Sequence, residues 1–374
     1  MRIVLPNTNK PLAYAEQACA AMMRKFAAAD LPPKGHFHYH QGVFLSGMYQ
    51  TYLLDHNDGY LRYIKAWVDS VFDANAQICR YDHGDLDDIQ PGILLYPLLD
   101  ITHDDFYRRA LEAVAAQIPD IPRNAFGGFD HKVSMPGQMW LDGLYMSGPF
   151  MAEYAARFDR PDLTELVIRE ALLMAQKTRD PATGLLYHAW DSLKQAPWAD
   201  KTTGCAPEFW GRALGWVPVA VLDDLDWIDP ANPGHAALTK LVKDLLIALC
   251  CFQSEDGRWY QVVNKGNQPG NWLENSCSCL FTAALCKALC KGILPPEYAH
   301  CAIKGFTGVI NSLTCQDGDI EIGHVCIGTG VGDYDYYCRR PCSTNDLHGV
   351  GAFLLMCTAM QRLQAFNFTD DKEL

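Results

Sequence analysis

The chain has 374 residues, 49% hydrophobic and 20% charged, enough to bury a large core in one or two globular units. Its net charge of −13 repels phosphate backbones, which argues against a nucleic-acid partner. The opening run MRIVLPNTNKPLAY has no apolar core or small-residue cleavage site, and no stretch approaches the roughly 18 apolar residues of a membrane span, so neither export nor a membrane partner is expected.

Helix-period segments follow one another along the chain, in two alternating kinds. The spacing predicts an amphipathic helix over 12–29, then a Gly-rich, aromatic, nearly uncharged one over 41–54. The pair recurs as 59–74 with 87–99, 104–117 with 139–158, 162–178 with 207–222, 235–252 with 275–290, and 297–312 with 344–363. A helix with one apolar face covers one side of a core, whereas a helix apolar all round needs cover on every side. Six of each in alternation describe an all-α (α/α)6 barrel, six outer helices around six inner ones. An open α-solenoid would use the same helical pairs without closing. No linker composition divides the chain, so residues 1–374 read as one domain.

Four connections are long: 119–138, 180–206, 253–274 and 314–343. Three carry a turn near their start (Asp180-Pro181-Ala182-Thr183-Gly184, Asp256-Gly257 and Asp317-Gly318), followed by short runs such as LLYHAW and RWYQVV that read as small hairpins. These loops precede inner helices, so they gather over the N-terminal ends of the inner ring. Long loops there are expected to cover the active site, and helix N-termini favour an anion beneath them. The fifteen cysteines lie mostly in helical runs with no C-x-x-C pair, which points to reduced thiols in the cytosol and not to a zinc site.

Acidic side chains recur at one end of the apolar helices. Asp142 falls in the first turn of 139–158, where an Asp either caps the helix or has a chemical task. Asp87 and Asp88 begin 87–99, and Glu208, Trp210 and Arg212 begin 207–222. Arg212, inside an apolar helix, needs an anion: either Glu208 at i−4 or a substrate carboxylate. Trp140, Trp190, Trp198 and Trp210 lie near the mouth, as core packing or as platforms for sugar rings. His36, His38 and His40 alternate, but no further ligand sits at helical spacing, so no metal is expected. Asp82, Asp85, Asp87 and Asp88 do not fit a calcium loop. A serine nucleophile elbow, a P-loop and a dinucleotide fingerprint are all missing, so no cofactor is expected. Carboxylates, His, Trp and one Arg in a helical barrel point to carbohydrate chemistry.

The blocks HYHQG around Tyr39, LDDIQPG around Asp87, HKVSMPGQMWLDGLYM from His131 to Met146, LYHAWD around His188, FWGRALGW from Phe209 to Trp216, and GVGAFLL near the C-terminus stand in one order. In that order the chain resembles the unsaturated rhamnogalacturonyl hydrolases, glycoside hydrolase family 105. Ala213, where that family often has Gly, and Ile93, where Lys is common, are departures outside the residues assigned to chemistry. The resemblance implies a hydrolase acting on an oligosaccharide that ends in a 4,5-unsaturated galacturonic acid. Such an enzyme hydrates the C4=C5 vinyl ether and leaves the anomeric carbon alone. It implies Asp142 as general acid and then base, Asp87 as the second carboxylate, and His188 beside the water and the uronate. It further implies that Arg212, Lys132 and His131 are candidates for holding the substrate carboxylate, that Trp140 and Trp210 stack on sugar, and that Tyr39 and Met135 line the site. Two other readings stand beside it: an unsaturated glucuronyl hydrolase acting on other uronides such as glycosaminoglycan fragments, and a non-catalytic sugar-binding protein. The expected assembly is a monomer or homodimer.

Overall fold

The computed structural model describes residues 10–366. Its main helices run α1 (Pro11–Lys25), α2 (Tyr39–Asp55), α3 (Asp58–Val71), α4 (Leu95–Thr102), α5 (Asp105–Ala115), α6 (Asp142–Arg157), α7 (Pro161–Thr178), α8 (Gly211–Asp224), α9 (Pro233–Cys250), α10 (Asn275–Cys290) and α11 (Ala299–Asn311). A short α12 (Tyr334–Cys338) and a long α13 (Leu347–Ala365) complete the series.

The two kinds of helix sort as their polarity dictates. On α3 the buried residues Tyr60, Tyr63, Ile64, Trp67, Val68 and Val71 form one stripe at three- and four-residue spacing, and the Asn57 side chain caps the helix by accepting from Gly59 N–H at 3.0 Å. On α8 nearly every residue from Gly211 to Leu222 is buried. Helices α2, α6, α8, α10 and α13, with α4 and the 3-10 turn before it, form the inner ring. Each packs on the next, and α13 packs on both α10 and α2, so the ring closes. This is the (α/α)6 barrel, and the open solenoid is excluded. The closing contact is tight: a Cβ on Gly351 of α13 would lie 2.5 Å from the backbone C and O of Val43 on α2, so no larger side chain fits there.

Several predicted boundaries move, two of them for evident local reasons. The helix expected over 87–99 is broken into 3-10 turns at Leu86–Asp88 and Gln90–Leu94 before α4 begins. Pro91 has no N–H to give and disfavours helical geometry at Gln90. The helix expected from 139 begins instead at Asp142, because Gln138–Trp140 is strand β1 and pairs antiparallel with β2 (Ala189–Asp191). The LLYHAW run therefore pairs across to the loop before α6 as well as within its own loop, where bridges join Arg179 to Leu186 and Trp190 to Cys205. Further ribbons join β3 (Trp259–Tyr260) to β4 (Leu273–Glu274), β5 (Thr314–Gln316) to β6 (Asp319–Glu321), and β7 (Val325–Cys326) to β8 (Cys342–Ser343). The β5–β6 turn is Asp317-Gly318, both at positive φ. All fifteen cysteines are unpaired. No helix among the described residues is long and apolar enough to cross a membrane.

Candidate active site

Asp142 is the first residue of α6, where its charge suits the helix N-terminus. The register of β1 on β2 sets Trp140 opposite Ala189, and Leu141 N–H donates to His188 C=O at 3.0 Å. That pairing brings His188 to Asp142, with Nε2 3.0 Å from Oδ2. His188 is fully buried, and its N–H donates to the Glu208 carbonyl at 3.1 Å, tying a third loop to the pair. Among the described residues His188 is the only hydrogen-bond partner of the Asp142 carboxyl, whose side chain is 13% exposed.

Asp87 sits in the 3-10 turn Leu86–Asp88, which the Asp85 side chain caps by accepting from Asp87 N–H at 3.0 Å. Lys132 Nζ donates to Asp85 Oδ2 at 2.6 Å and to Asp87 Oδ2 at 2.8 Å. Burial pushes the Asp87 carboxyl up, but Lys132, then His131 and His38, outweigh it and hold it down at about 2. Burial and the adjacent Asp87 raise Asp85 to about 6. Asp87 is therefore an anion across the working pH range.

Asp88 turns away from this pair, facing His36 Nε2 at 3.3 Å and accepting from Asp82 N–H. Burial, the largest influence, pushes it up to about 9. Between about pH 4 and 9 the unfolded chain has released a proton that the folded chain keeps, so this group lowers stability as pH rises through that window. Asp88→Asn, which cannot ionise, is expected to raise Tm by about 2 °C or more at pH 8 and to change it little at pH 4, measured by thermal denaturation.

The expected uronate-binding cations separate. Lys132 is paired with both Asp85 and Asp87. His131 is buried and stacks on Trp140, with centroids 4.4 Å apart and planes at 13°; its Nε2 is 3.8 Å from Asp87 Oδ1. Burial pushes it toward the neutral form, so it too is no free cation. Arg212 lies in the first turn of α8 and donates to neutral acceptors: Nη1 to Cys326 C=O at 2.6 Å and Nη2 to Ile327 C=O at 2.9 Å. Glu208 is not its partner, because Glu208 accepts from Lys265 Nζ at 2.7 Å. The nearest carboxylate to Arg212 is Glu274 at 4.0 Å, itself engaged in capping α10 through Cys277 N–H.

The rings also divide. Trp140 has one face on His131 and its edge toward His188, and packs with Met135, Trp198 and Val331 at the rim. Trp210 is 1% exposed, parallel to Tyr337 at 5.7 Å and with the Arg212 guanidinium 4.5 Å over its ring. It has no open face for a sugar, which corrects the stacking role expected of it. Tyr39 begins α2 and lies within electrostatic reach of Arg212, Asp87 and Asp142. Asp142, His188, Trp140, His131, Asp87, Tyr39 and Arg212 thus meet at the N-terminal ends of four inner elements. A cavity of about 350 Å³ at the opposite end of the barrel, lined by Asp223, Lys287 and Arg362 among others, touches none of them.

Sequence reasoning missed Tyr337, whose hydroxyl is 2.6 Å from His188 Nδ1, as well as Lys265 and Glu274. It also missed the partners of the histidine run: His348 Nδ1 and His40 Nε2 face Asp346 Oδ1 at 2.8 and 3.8 Å. Those partners come from α13, some three hundred residues downstream, so no local spacing announces them.

A closed helical barrel holding two carboxylates, a buried histidine and tryptophan rings at one mouth is the framework of a glycosidase. Comparison with known proteins places it further. The model of Glycosyl Hydrolase Family 88 matches residues 14–364, so the chain belongs to that family, within the 88 and 105 group of unsaturated uronyl hydrolases. A family 105 glycoside hydrolase from C. acetobutylicum superposes with a TM-score of 0.88 at 31% identity, covering 93% of this chain and 99% of that one. The unsaturated rhamnogalacturonyl hydrolase YesR of Bacillus subtilis is 28% identical over 296 residues, 78% of this chain and 79% of YesR. The unsaturated glucuronyl hydrolase of Bacillus sp. GL1 shares the fold alone, at 16% identity, with a TM-score of 0.70 over 94% of this chain and 96% of that one.

Proposed function

We propose that the protein removes the 4,5-unsaturated galacturonic acid from the non-reducing end of rhamnogalacturonan oligosaccharides by hydrating its C4=C5 bond. The observation that carries this reading is the unequal treatment of the two carboxyls: Asp87 is bonded to Lys132, whereas among the described residues Asp142 has only His188. A carboxyl locked as an anion can orient sugar and water but cannot supply a proton at neutral pH. The other is left to give a proton and take one back. Asp142 protonates C4, and positive charge develops at C5 as an oxocarbenium ion, stabilised by the anionic Asp87. Water attacks C5 and returns a proton to Asp142. The hemiketal so formed opens, and the glycosidic link is released as the aglycone alcohol. Because no anomeric substitution occurs, the carboxyl separation carries no retaining or inverting meaning.

Arg212 is proposed to attract the uronate carboxylate, since its own close hydrogen bonds go to neutral carbonyls and its nearest carboxylate, Glu274, stands 4.0 Å away and is engaged in capping α10. Tyr39, Met135 and Trp140 are proposed to line the sugar subsite. The likeness to YesR supports rhamnogalacturonan fragments as substrate. The fifteen unpaired cysteines suit a reducing compartment, so cytosolic action on imported oligosaccharides is proposed.

The test is the ultraviolet absorbance of the conjugated alkene. Lyase-generated rhamnogalacturonan disaccharide is expected to lose that absorbance on incubation with the protein. Loss confined to unsaturated glycosaminoglycan disaccharides would replace the proposal with the glucuronyl reading, and loss with neither would remove the catalytic one.

A further inference from the structure

Tyr337 belongs to α12, in the long connection between α11 and α13, and is fully buried. Three contacts fix it. Its ring lies parallel to Trp210, its backbone carbonyl accepts from Gln261 Nε2 at 3.2 Å, and its hydroxyl oxygen accepts from Gly332 N–H at 3.1 Å. The hydroxyl has one proton to place. Among the described residues the acceptor within reach is His188 Nδ1, at 2.6 Å. A buried donor finds its partner, so Tyr337 donates and Nδ1 accepts. The neutral imidazole then carries its proton on Nε2, the nitrogen 3.0 Å from Asp142 Oδ2.

We propose that Tyr337 is a positioning residue that holds His188 in the Nε2–H tautomer and thereby aims the Asp142 proton at the substrate. The functional half of this rests on Asp142 as the proton donor. With Nε2–H donating to Oδ2, the acidic proton of Asp142 resides on Oδ1, the oxygen not engaged by His188. The opposite tautomer would converge two donors on the Tyr337 oxygen, strand the hydroxyl proton, and present a lone pair at Nε2. The Asp142 proton would then be drawn onto Oδ2 and shared with the histidine, unavailable to C4. The loop carrying Tyr337 thus sets the direction of proton transfer without touching the sugar.

The tautomer is read directly by long-range proton–nitrogen NMR on full-length protein labelled with 15N-histidine, the His188 signals being assigned by their loss in His188→Gln. The wild-type imidazole is expected to be protonated at Nε2 and bare at Nδ1, and Tyr337→Phe to shift it toward Nδ1–H. In steady-state assays Tyr337→Phe is expected to lower kcat about 100-fold with KM changed by about threefold or less. In a His188→Gln background the same substitution is expected to cost little more, since its effect runs through the imidazole. A wild-type His188 protonated at Nδ1, or losses that multiply in the double variant, would overturn the proposal. The wild-type spectrum decides the tautomer even if Tyr337→Phe does not fold. It needs no turnover, so it stands apart from a failure of Asp142 as the acid.

Discussion

Asp142→Asn is expected to lower kcat for the unsaturated disaccharide roughly 10³-fold, with circular dichroism and Tm close to wild type. The amide is isosteric, keeps an oxygen for His188 Nε2–H at the observed 3.0 Å, and remains acceptable at the helix start. What it cannot do is give a proton to C4 and recover one from water. Neighbouring Asp87 cannot substitute, because its bond to Lys132 keeps it ionised. A variant retaining more than a tenth of wild-type turnover would require another acid, and the division of labour between the two carboxyls would have to be abandoned.

Arg212→Met is expected to raise KM about 100-fold for the free uronate and to leave the methyl-esterified uronate nearly unaffected. A hydrogen bond to a charged group contributes about 1.5–3 kcal/mol, which spans a factor of about 10 to 150 in binding. The substitution also strips donors from the Cys326 and Ile327 carbonyls, so a stability loss of about 1–3 kcal/mol accompanies it. Acid and ester substrates face the same weakened fold, so their ratio isolates the carboxylate. Equal losses for the two would make Arg212 a structural cation that only braces the loop at Cys326.

The alternation of one-faced and all-round apolar helices made the barrel legible, because burial demands differ for the two kinds and only a two-layer ring satisfies both. Asp142 and Asp87 were legible for a related reason: polar groups are costly inside apolar elements and stand out there; His188 was legible only through the family-like LYHAWD block. What escaped was set by long-range packing. Nothing in DYDYYC marks Tyr337 as a partner for a histidine 149 residues away. The same limit hid the ion pairs of Lys132 and misassigned Trp210, since whether a cation is paired or a ring open depends on which loop lies over it. The start of α6 was misplaced because the pairing of β1 with β2 overrides the helical preference of Met139 and Trp140.

The closure of the ring through α13 has a consequence for the order in which the protein can be made. Helices α2 and α10 each leave a flank bare until α13 arrives, and the Gly351–Val43 approach joins segments about three hundred residues apart. Contacts of such sequence separation form late and slowly. A nascent chain that has not yet extended past Leu347 therefore holds the Asp142–His188 pair on an unfinished barrel, with apolar flanks exposed to aggregation or to chaperones. His348 and Asp346, the groups that meet His40, arrive with the same closing segment. Catalytic competence is thus acquired only once the α13 segment has been made, in one step with the sealing of the core.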